Sequence, residues 1–125
     1  MSIYAIVIDS ENAKIFGFDD SKAGGEVTRH AYKRHEPEHH NGHSQDQEKK
    51  SEHFFHQVAG HLTGATQLLL MGPGLGKEHF KNHLEQHHHH DLASHIVAVE
   101  TVDHPTDPQL IAHAREVFSK HNIRV

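Results

Sequence analysis

An uninterrupted apolar run at residues 66–72, TQLLLMG, constrains the fold more than any other feature of this sequence. Its apolar residues do not alternate with polar ones, as they would in a strand with one face in water. Such a run is typical of an interior strand that is covered on both faces, commonly in a parallel arrangement. The segment SHIVAVETV at 94–102 has the same character, so we predict a second buried strand there.

Three more strands are predicted before these two. The segments 3–9 and 13–18 are strand-like and are joined by a short polar turn, which is typical of a β-hairpin. A turn rich in Asp and Gly then leads to 26–33, where β-branched and aromatic residues predict a third strand. The five strands together predict a mixed sheet.

Three helices complete the predicted fold. The first runs from about Gln45 to Leu62, the second from about 76 to 90, and the third starts with Asp107 as N-cap and Pro108 in the first helical position. The predicted buried stripes are Phe54, Phe55, Val58, Ala59 and Leu62 in the first helix, and Leu110, Ile111, Ala114, Val117 and Phe118 in the last. The predicted order is βββ-α-β-α-β-α, an α/β fold.

Length and composition limit the classes of function. The 125 residues predict one domain, 1–125, with a polar, histidine-rich loop at about 34–47. There are no cysteines, so disulfides and thiolate metal sites are excluded. The formal charge is −5 with the 18 histidines neutral, so we expect no DNA partner, and any RNA contact has to be local. No signal peptide or membrane-length apolar run is visible, which predicts a cytoplasmic protein without a membrane partner.

The turn GPGLGK after the apolar run places glycines and a lysine at the start of a helix. The Walker pattern fails, because Gly76-Lys77 is not followed by serine or threonine and Met71 stands where the first glycine would be. Glycine amides at a helix N-terminus can still bind an anion. Two interpretations stay open: a tight strand-to-helix turn, or an anion-binding turn formed by Gly72, Gly74, Gly76 and Lys77.

Four histidines line one stripe of the predicted second helix: His79, His83, His87 and His90. Imidazoles four positions apart on a helix can share Zn²⁺, Ni²⁺ or Cu²⁺. These positions do not form the metalloprotease pattern HExxH. Solvated histidines with incidental metal affinity are the alternative interpretation, and no motif of the chain requires a cofactor.

The residues give little support for catalysis. There is no cysteine nucleophile and no GxSxG pattern. Asp9 ends the first strand, where a ribonuclease-H-like domain would carry a metal-binding carboxylate. A strand-end Asp is also a common turn residue, and Asp9 lacks evident partner carboxylates. We therefore expect a binding protein, with hydrolase or nuclease activity at Asp9 as a further hypothesis.

The order of these segments resembles the middle domain of archaeal and eukaryotic class-1 peptide-chain release factors and of Pelota. YAIVIDSENAKIFGF, a third strand, a polar loop, a long helix and LLLMGPGLGKEHFKNHL follow one another as in that family, over about residues 3–119. The family's GPG-x-x-K-x-x-F turn is matched by Gly72, Pro73, Gly74, Lys77 and Phe80. The resemblance implies a ribonuclease-H-like α/β fold with a five-stranded mixed sheet and three helices.

The resemblance also implies a role for the histidine-rich loop. In the release factors, the connection between the third strand and the long helix carries a Gly-Gly-Gln tip that enters the ribosomal peptidyl-transferase centre. The matching segment here, HNGHSQDQEKKSEHFF, has no Gly-Gly-Gln, which implies a domain that does not hydrolyse peptidyl-tRNA. The position of the loop predicts RNA contacts by His35, His39, His40, His43 and Gln45, and phosphate contacts by Lys49 and Lys50.

The leading hypothesis is therefore a non-hydrolytic protein that binds the ribosome or RNA of the translation machinery, as a stress or rescue factor. The alternative belongs to a different class: a histidine-rich protein that binds a divalent metal such as Zn²⁺ or Ni²⁺. Metal binding would weaken steeply below about pH 6.5, because protons compete for the imidazole nitrogens.

Overall fold

Five strands and four helices form the computed structural model, which describes residues 2–9, 11–19, 27–33, 44–87, 90–103, 105–123 and 125. The strands are β1 (Ser2–Ile8), β2 (Asn12–Asp19), β3 (Thr28–Lys33), β4 (Ala65–Gly72) and β5 (Ile96–Thr101). They make one sheet in the order β3-β2-β1-β4-β5. Strand β2 is antiparallel to β1 and β3, whereas β4 is parallel to β1 and β5. The predicted five-stranded mixed sheet and α/β class are confirmed.

The helices are α1 (Ser44–His61), α2 (Gly76–Gln86), α3 (His90–Ser94) and α4 (Asp107–Lys120). The prediction of three helices is wrong, because the helix expected over 76–90 ends at Gln86 and a short separate helix follows. The order is therefore βββ-α-β-α-α-β-α.

The break between α2 and α3 serves the packing of the segment that leads into β5. The amide of His87 bonds to the carbonyl of His83 and closes α2, with His87 itself outside helical geometry. The short α3 then buries Leu92 in the core, and the amide of His95 bonds to the Leu92 carbonyl. Because the histidine spacing here is compatible with a continuous helix, the sequence pattern alone does not reveal this break.

Each face of the sheet has its own apolar core. Helices α1, α2 and α3 cover one face through Phe54, Val58, Leu62, Phe80, Leu84 and Leu92. Helix α4 covers the other through Leu110, Ala114, Val117 and Phe118. The predicted run at 66–72 forms the strand between β1 and β5, and its residues 68–71 are fully buried. Coverage on both faces explains why this strand has no polar alternation.

The start of α4 differs by one residue from the prediction. Thr106, not Asp107, is the N-cap: its hydroxyl accepts from the Gln109 amide, and the Gln109 side chain accepts from the Thr106 amide. Both residue types cap helices well, so the sequence does not separate them. Asp107 is the first helical residue, and its carboxylate instead meets two cationic side chains from the sheet. Among the described residues, no helix is long and apolar enough to cross a membrane.

Candidate functional site

The predicted RNA-contact residues follow the outer strand of the sheet along the chain and extend into α1. β3 ends at Lys33, and α1 begins at Ser44. His35, His39, His40 and His43 lie outside the described residues, whereas Gln45, Lys49 and Lys50 lie in the first two turns of α1. β3 has only one neighbour among the described strands, so Lys33, the last described residue before this connection, lies in an edge strand. The RNA contacts themselves stay a prediction.

The sequence reasoning missed one pattern in this connection. HEPEH at 35–39 has the HExxH spacing of zinc metalloproteases. That pattern works on a helix, and a proline at its centre, here Pro37, is disfavoured in a helix interior. These five residues lie outside the part of the chain that the structure describes.

The glycine-rich turn makes close packing contacts with β1 and with the start of α2. A Cβ atom on Gly72 would lie 2.2 Å from the carbonyl oxygen of Ile8, so β4 and β1 approach closely there only because residue 72 is glycine. Lys77 is 4% exposed, and its ammonium donates to the carbonyl of Gly74. The lysine therefore ties the turn to its own helix. Anion binding by Gly72, Gly74, Gly76 and Lys77 stays a prediction, and these contacts favour the tight-turn interpretation.

The predicted metal-ligating histidines are only partly brought together. The rings of His83 and His87 stack with centroids 4.4 Å apart, and His56 of α1 joins them, 4.5 Å from His83 and 5.4 Å from His87. His79 is exposed on α2, and His90 belongs to α3. Within the described ranges, no group of three or more His, Cys, Asp or Glu residues is arranged to hold a metal ion.

Asp9 closes the turn between β1 and β2. Its Oδ1 accepts hydrogen bonds from the amides of Glu11 and Asn12, at 2.8 and 2.7 Å. Both bonds are typical of an aspartate that organises its own turn. They account for Asp9 at this position without a catalytic role.

A second histidine cluster joins the outer strand to the C-terminal end of α1. The hydroxyl oxygen of Tyr32 lies 2.8 Å from Nδ1 of His61, and the His30 ring centroid is 4.4 Å from that of His61. Tyr4 of β1 adds an edge contact at 5.9 Å. Burial lowers the pKa of His61 below its ordinary value, and repulsion by His30 lowers it further. The cluster thus favours the neutral form of His61 at pH values just below 6.5, where an ordinary histidine becomes protonated.

Three charged residues that no sequence motif indicated meet beside the end of the sheet. Lys14 Nζ and Arg29 Nε each lie 2.9 Å from a different carboxylate oxygen of Asp107. The three residues come from β2, β3 and α4, so their separations in the sequence give no signal of the contact. Lys14 and Arg29 also line a crevice of about 420 Å³ at the end of the sheet.

Comparison with known proteins identifies solved structures that share this architecture. No family model and no curated protein matches the chain. Solved structures do match: Pelota from Archaeoglobus fulgidus has a TM-score of 0.63 at 19% identity over 94% of this chain and 32% of its own. Pelota from Thermoplasma acidophilum has a TM-score of 0.64 at 12% identity, over 99% of this chain and 35% of that one. The fold is that of a release-factor or Pelota middle domain.

An archaeal translation termination factor, aRF1, extends the likeness with a TM-score of 0.57 at 15% identity, over 97% of this chain and 40% of its own. The chain thus spans about a third to two fifths of the length of these structures. At such identities the likeness establishes the fold, and the resemblance seen in the order of sequence motifs is confirmed at that level.

Proposed function

We propose that this domain binds RNA of the translation machinery, on the ribosome, through the connection between β3 and α1. The observation that carries the proposal is the shared fold with Pelota and archaeal release factor over nearly the whole chain. In the release factors, the equivalent connection carries the Gly-Gly-Gln tip that enters the ribosomal peptidyl-transferase centre. Because Gly-Gly-Gln is absent, the domain binds without hydrolysing peptidyl-tRNA, as a stress or rescue factor.

The charges beside this connection support a local RNA contact on a protein of net negative charge. β3 is almost wholly exposed, and it presents Arg29, His30 and Lys33 along the outer edge of the sheet. The sequence continues with arginine and histidine immediately after Lys33. Phosphate contacts by such residues position a protein on RNA, and histidine rings can stack on unpaired bases. Basic groups therefore lie next to the connection in which the resemblance predicts the interface.

Ribosome co-sedimentation over a salt series tests the proposal. We expect saturable binding of the purified protein that weakens as salt rises, because phosphate contacts release counterions. Binding should strengthen between about pH 7.5 and about pH 6.0, where histidines become protonated. Deletion of residues 36–46 should abolish it. Unchanged co-sedimentation of the deletion variant would refute the assignment of the interface to this connection.

A sharper form of the test replaces side chains without shortening the chain. His35, His39, His40 and His43 are changed together to glutamine, and the matched control changes His113 and His121 on and after α4. Loss of the pH-dependent part of binding in the first variant alone is the expected result. Equal loss in both variants would mean that histidine content, rather than the connection, determines binding.

Divalent-metal binding is the alternative proposal, and the mutual contacts of His56, His83 and His87 are the observation that favours it. The side chains would have to reorient around an ion, since the described residues form no arranged metal group. Calorimetry with Zn²⁺ and Ni²⁺ at about pH 7.5 tests it. A saturable site that is lost in His83→Gln with His87→Gln supports it, and heats without saturation refute it.

A further inference from the structure

A crevice lies where three parallel strands end. The described residues that line it include Val7 and Asp9 at the end of β1, Pro73 just after β4, and Val102 and Pro105 after β5. Leu110 of α4 lies on one side. In α/β sheets, ligands bind preferentially outside the carboxyl ends of parallel strands.

This crevice lies near the point where the connections after β4 and β5 pass to opposite faces of the sheet. After β4, the chain continues into α2, on the face of the sheet shared with α1. After β5, it continues into α4, on the opposite face. The chain therefore leaves the adjacent ends of β4 and β5 towards opposite faces of the sheet. The opening between two such connections is the usual position of a ligand site in these folds.

The polar groups of the crevice offer more donors than acceptors. Both oxygens of Asp107 are engaged, one by Lys14 and one by Arg29. Arg29 meets Asp107 through Nε, and its two terminal amino groups carry four further N–H donors. The Lys14 ammonium likewise has further protons beyond the one it gives to Asp107. Asp9 uses Oδ1 on two backbone amides. A complementary ligand is thus rich in acceptor oxygens.

The size and the walls of the crevice set a second requirement for its ligand. The crevice has a volume of about 420 Å³, within the range of small-molecule sites and far larger than a single phosphate ion needs. Its remaining wall is apolar, formed by Val7, Pro73, Val102, Pro105 and Leu110. The ligand therefore combines an anionic group with a body that tolerates apolar surroundings.

We propose that this crevice binds a nucleoside monophosphate. The phosphate takes the unused donors of Lys14 and Arg29, because arginine and lysine are well suited to phosphate oxygens. The base and ribose fill the part of the crevice with apolar walls, and the side chain of Asn12 at the rim offers both a donor and an acceptor. This inference goes beyond the proposed RNA contact, since it involves neither the ribosome nor the connection between β3 and α1.

Isothermal titration calorimetry of the full chain tests the proposal with AMP, GMP, CMP and UMP. Adenosine and inorganic phosphate serve as the two halves of the ligand. Saturable binding of at least one nucleotide, more tightly than of either half, is the expected result. No saturable binding of any nucleotide at millimolar concentration overturns the proposal, as does phosphate alone binding as tightly as the nucleotide.

Three variants identify the site. Lys14→Ala and Arg29→Ala should each weaken nucleotide binding about tenfold or more, as expected for loss of a charge-assisted hydrogen bond. Asp107→Asn should strengthen it several-fold, because the two cations lose their competing carboxylate. Lys120→Ala, an exposed lysine on α4 paired with Glu116, is the control and should change nothing. Weaker binding in Asp107→Asn overturns the proposal, because it would make Asp107 a ligand-binding group.

A measurement on the unaltered protein covers the case in which a variant does not fold. Nucleotide is titrated into the isotope-labelled chain, and amide resonances are followed by NMR. The amides of Asn12, Val102 and Leu110, which line the crevice, should shift together with one dissociation constant. Shifts confined to α2 and α3, on the opposite face of the sheet from α4, would overturn the assignment.

Discussion

The hydroxyl oxygen of Tyr32, on the outer strand of the sheet, lies 2.8 Å from Nδ1 of His61, the last residue of α1. This contact connects the two elements that flank the predicted RNA-binding connection, one before it and one after it. His30, the second histidine of the cluster, packs against His61 from the same strand. The contact between strand and helix there therefore involves an imidazole whose neutral form is favoured by burial and by His30.

The pKa of His61 predicts a loss of stability in acid. Its pKa in the folded protein is lowered from 6.5, by burial first and by His30 second. The unfolded chain therefore binds more protons below about pH 6.5, so the free energy of unfolding decreases as the pH falls through 6.5 towards the folded-state pKa. Urea denaturation at several pH values measures this. His61→Gln should reduce the pH dependence, and the control His121→Gln should leave it unchanged.

Replacement of the neighbouring histidine separates the two causes of that shift. His30→Gln removes the positive charge that forms near His61 in acid, so the pKa of His61 should rise while remaining below its ordinary value. An NMR titration of the His61 ring measures the change. An unaltered His61 titration would mean that burial alone sets the pKa.

Gly72→Ala should destabilise the domain strongly. Its Cβ would lie 2.2 Å from the carbonyl oxygen of Ile8, so the ends of β4 and β1, the two middle strands of the described sheet on its parallel side, would have to separate. The expected cost is about 1–3 kcal/mol or more, as for overpacking of a core. Gly74→Ala is the matched control: no heavy atom lies within 4 Å of its added Cβ, so its effect should stay within about 0.5 kcal/mol. Similar losses in the two variants would contradict the packing argument.

Lys77→Ala should reduce stability rather than any ligand affinity. The lysine is buried, and its ammonium satisfies the carbonyl of Gly74. Its removal leaves a cavity and an unpaired acceptor, which together should cost about 1–3 kcal/mol. Chemical denaturation measures the loss, with exposed Lys120→Ala as control. A fully stable Lys77→Ala protein that loses affinity for phosphate would instead support the anion-binding turn.

Thr106→Ala should lower the free energy of unfolding by about 1 kcal/mol, because it removes half of the capping box of α4. Ser119→Ala, in the exposed last turn of the same helix, should change it by less than about 0.5 kcal/mol. Chemical denaturation measures both variants. A loss in Thr106→Ala no larger than that in Ser119→Ala would contradict the assignment of Thr106 as the cap.

Much of the fold could be predicted because its signals are local. Phe54, Val58 and Leu62 repeat at helical spacing and are all buried. The run at 66–72 lacks polar alternation and forms an interior strand that is covered on both faces of the sheet. The histidine run at 87–90 failed as a guide to α2, since histidine spacing compatible with a helix says nothing about where the chain must turn to bury Leu92.

By itself, the sequence determined the order of the five strands and three of the four helices, their apolar faces and the absence of Gly-Gly-Gln, because each depends on residues close together in the chain. The tertiary structure alone decided which distant residues meet. Lys14, Arg29 and Asp107 come from three elements, and His56 reaches His83 from a different helix. Such contacts depend on how the sheet and helices pack in three dimensions. The spacing of residues along a single sequence does not encode the distances between them in the folded protein.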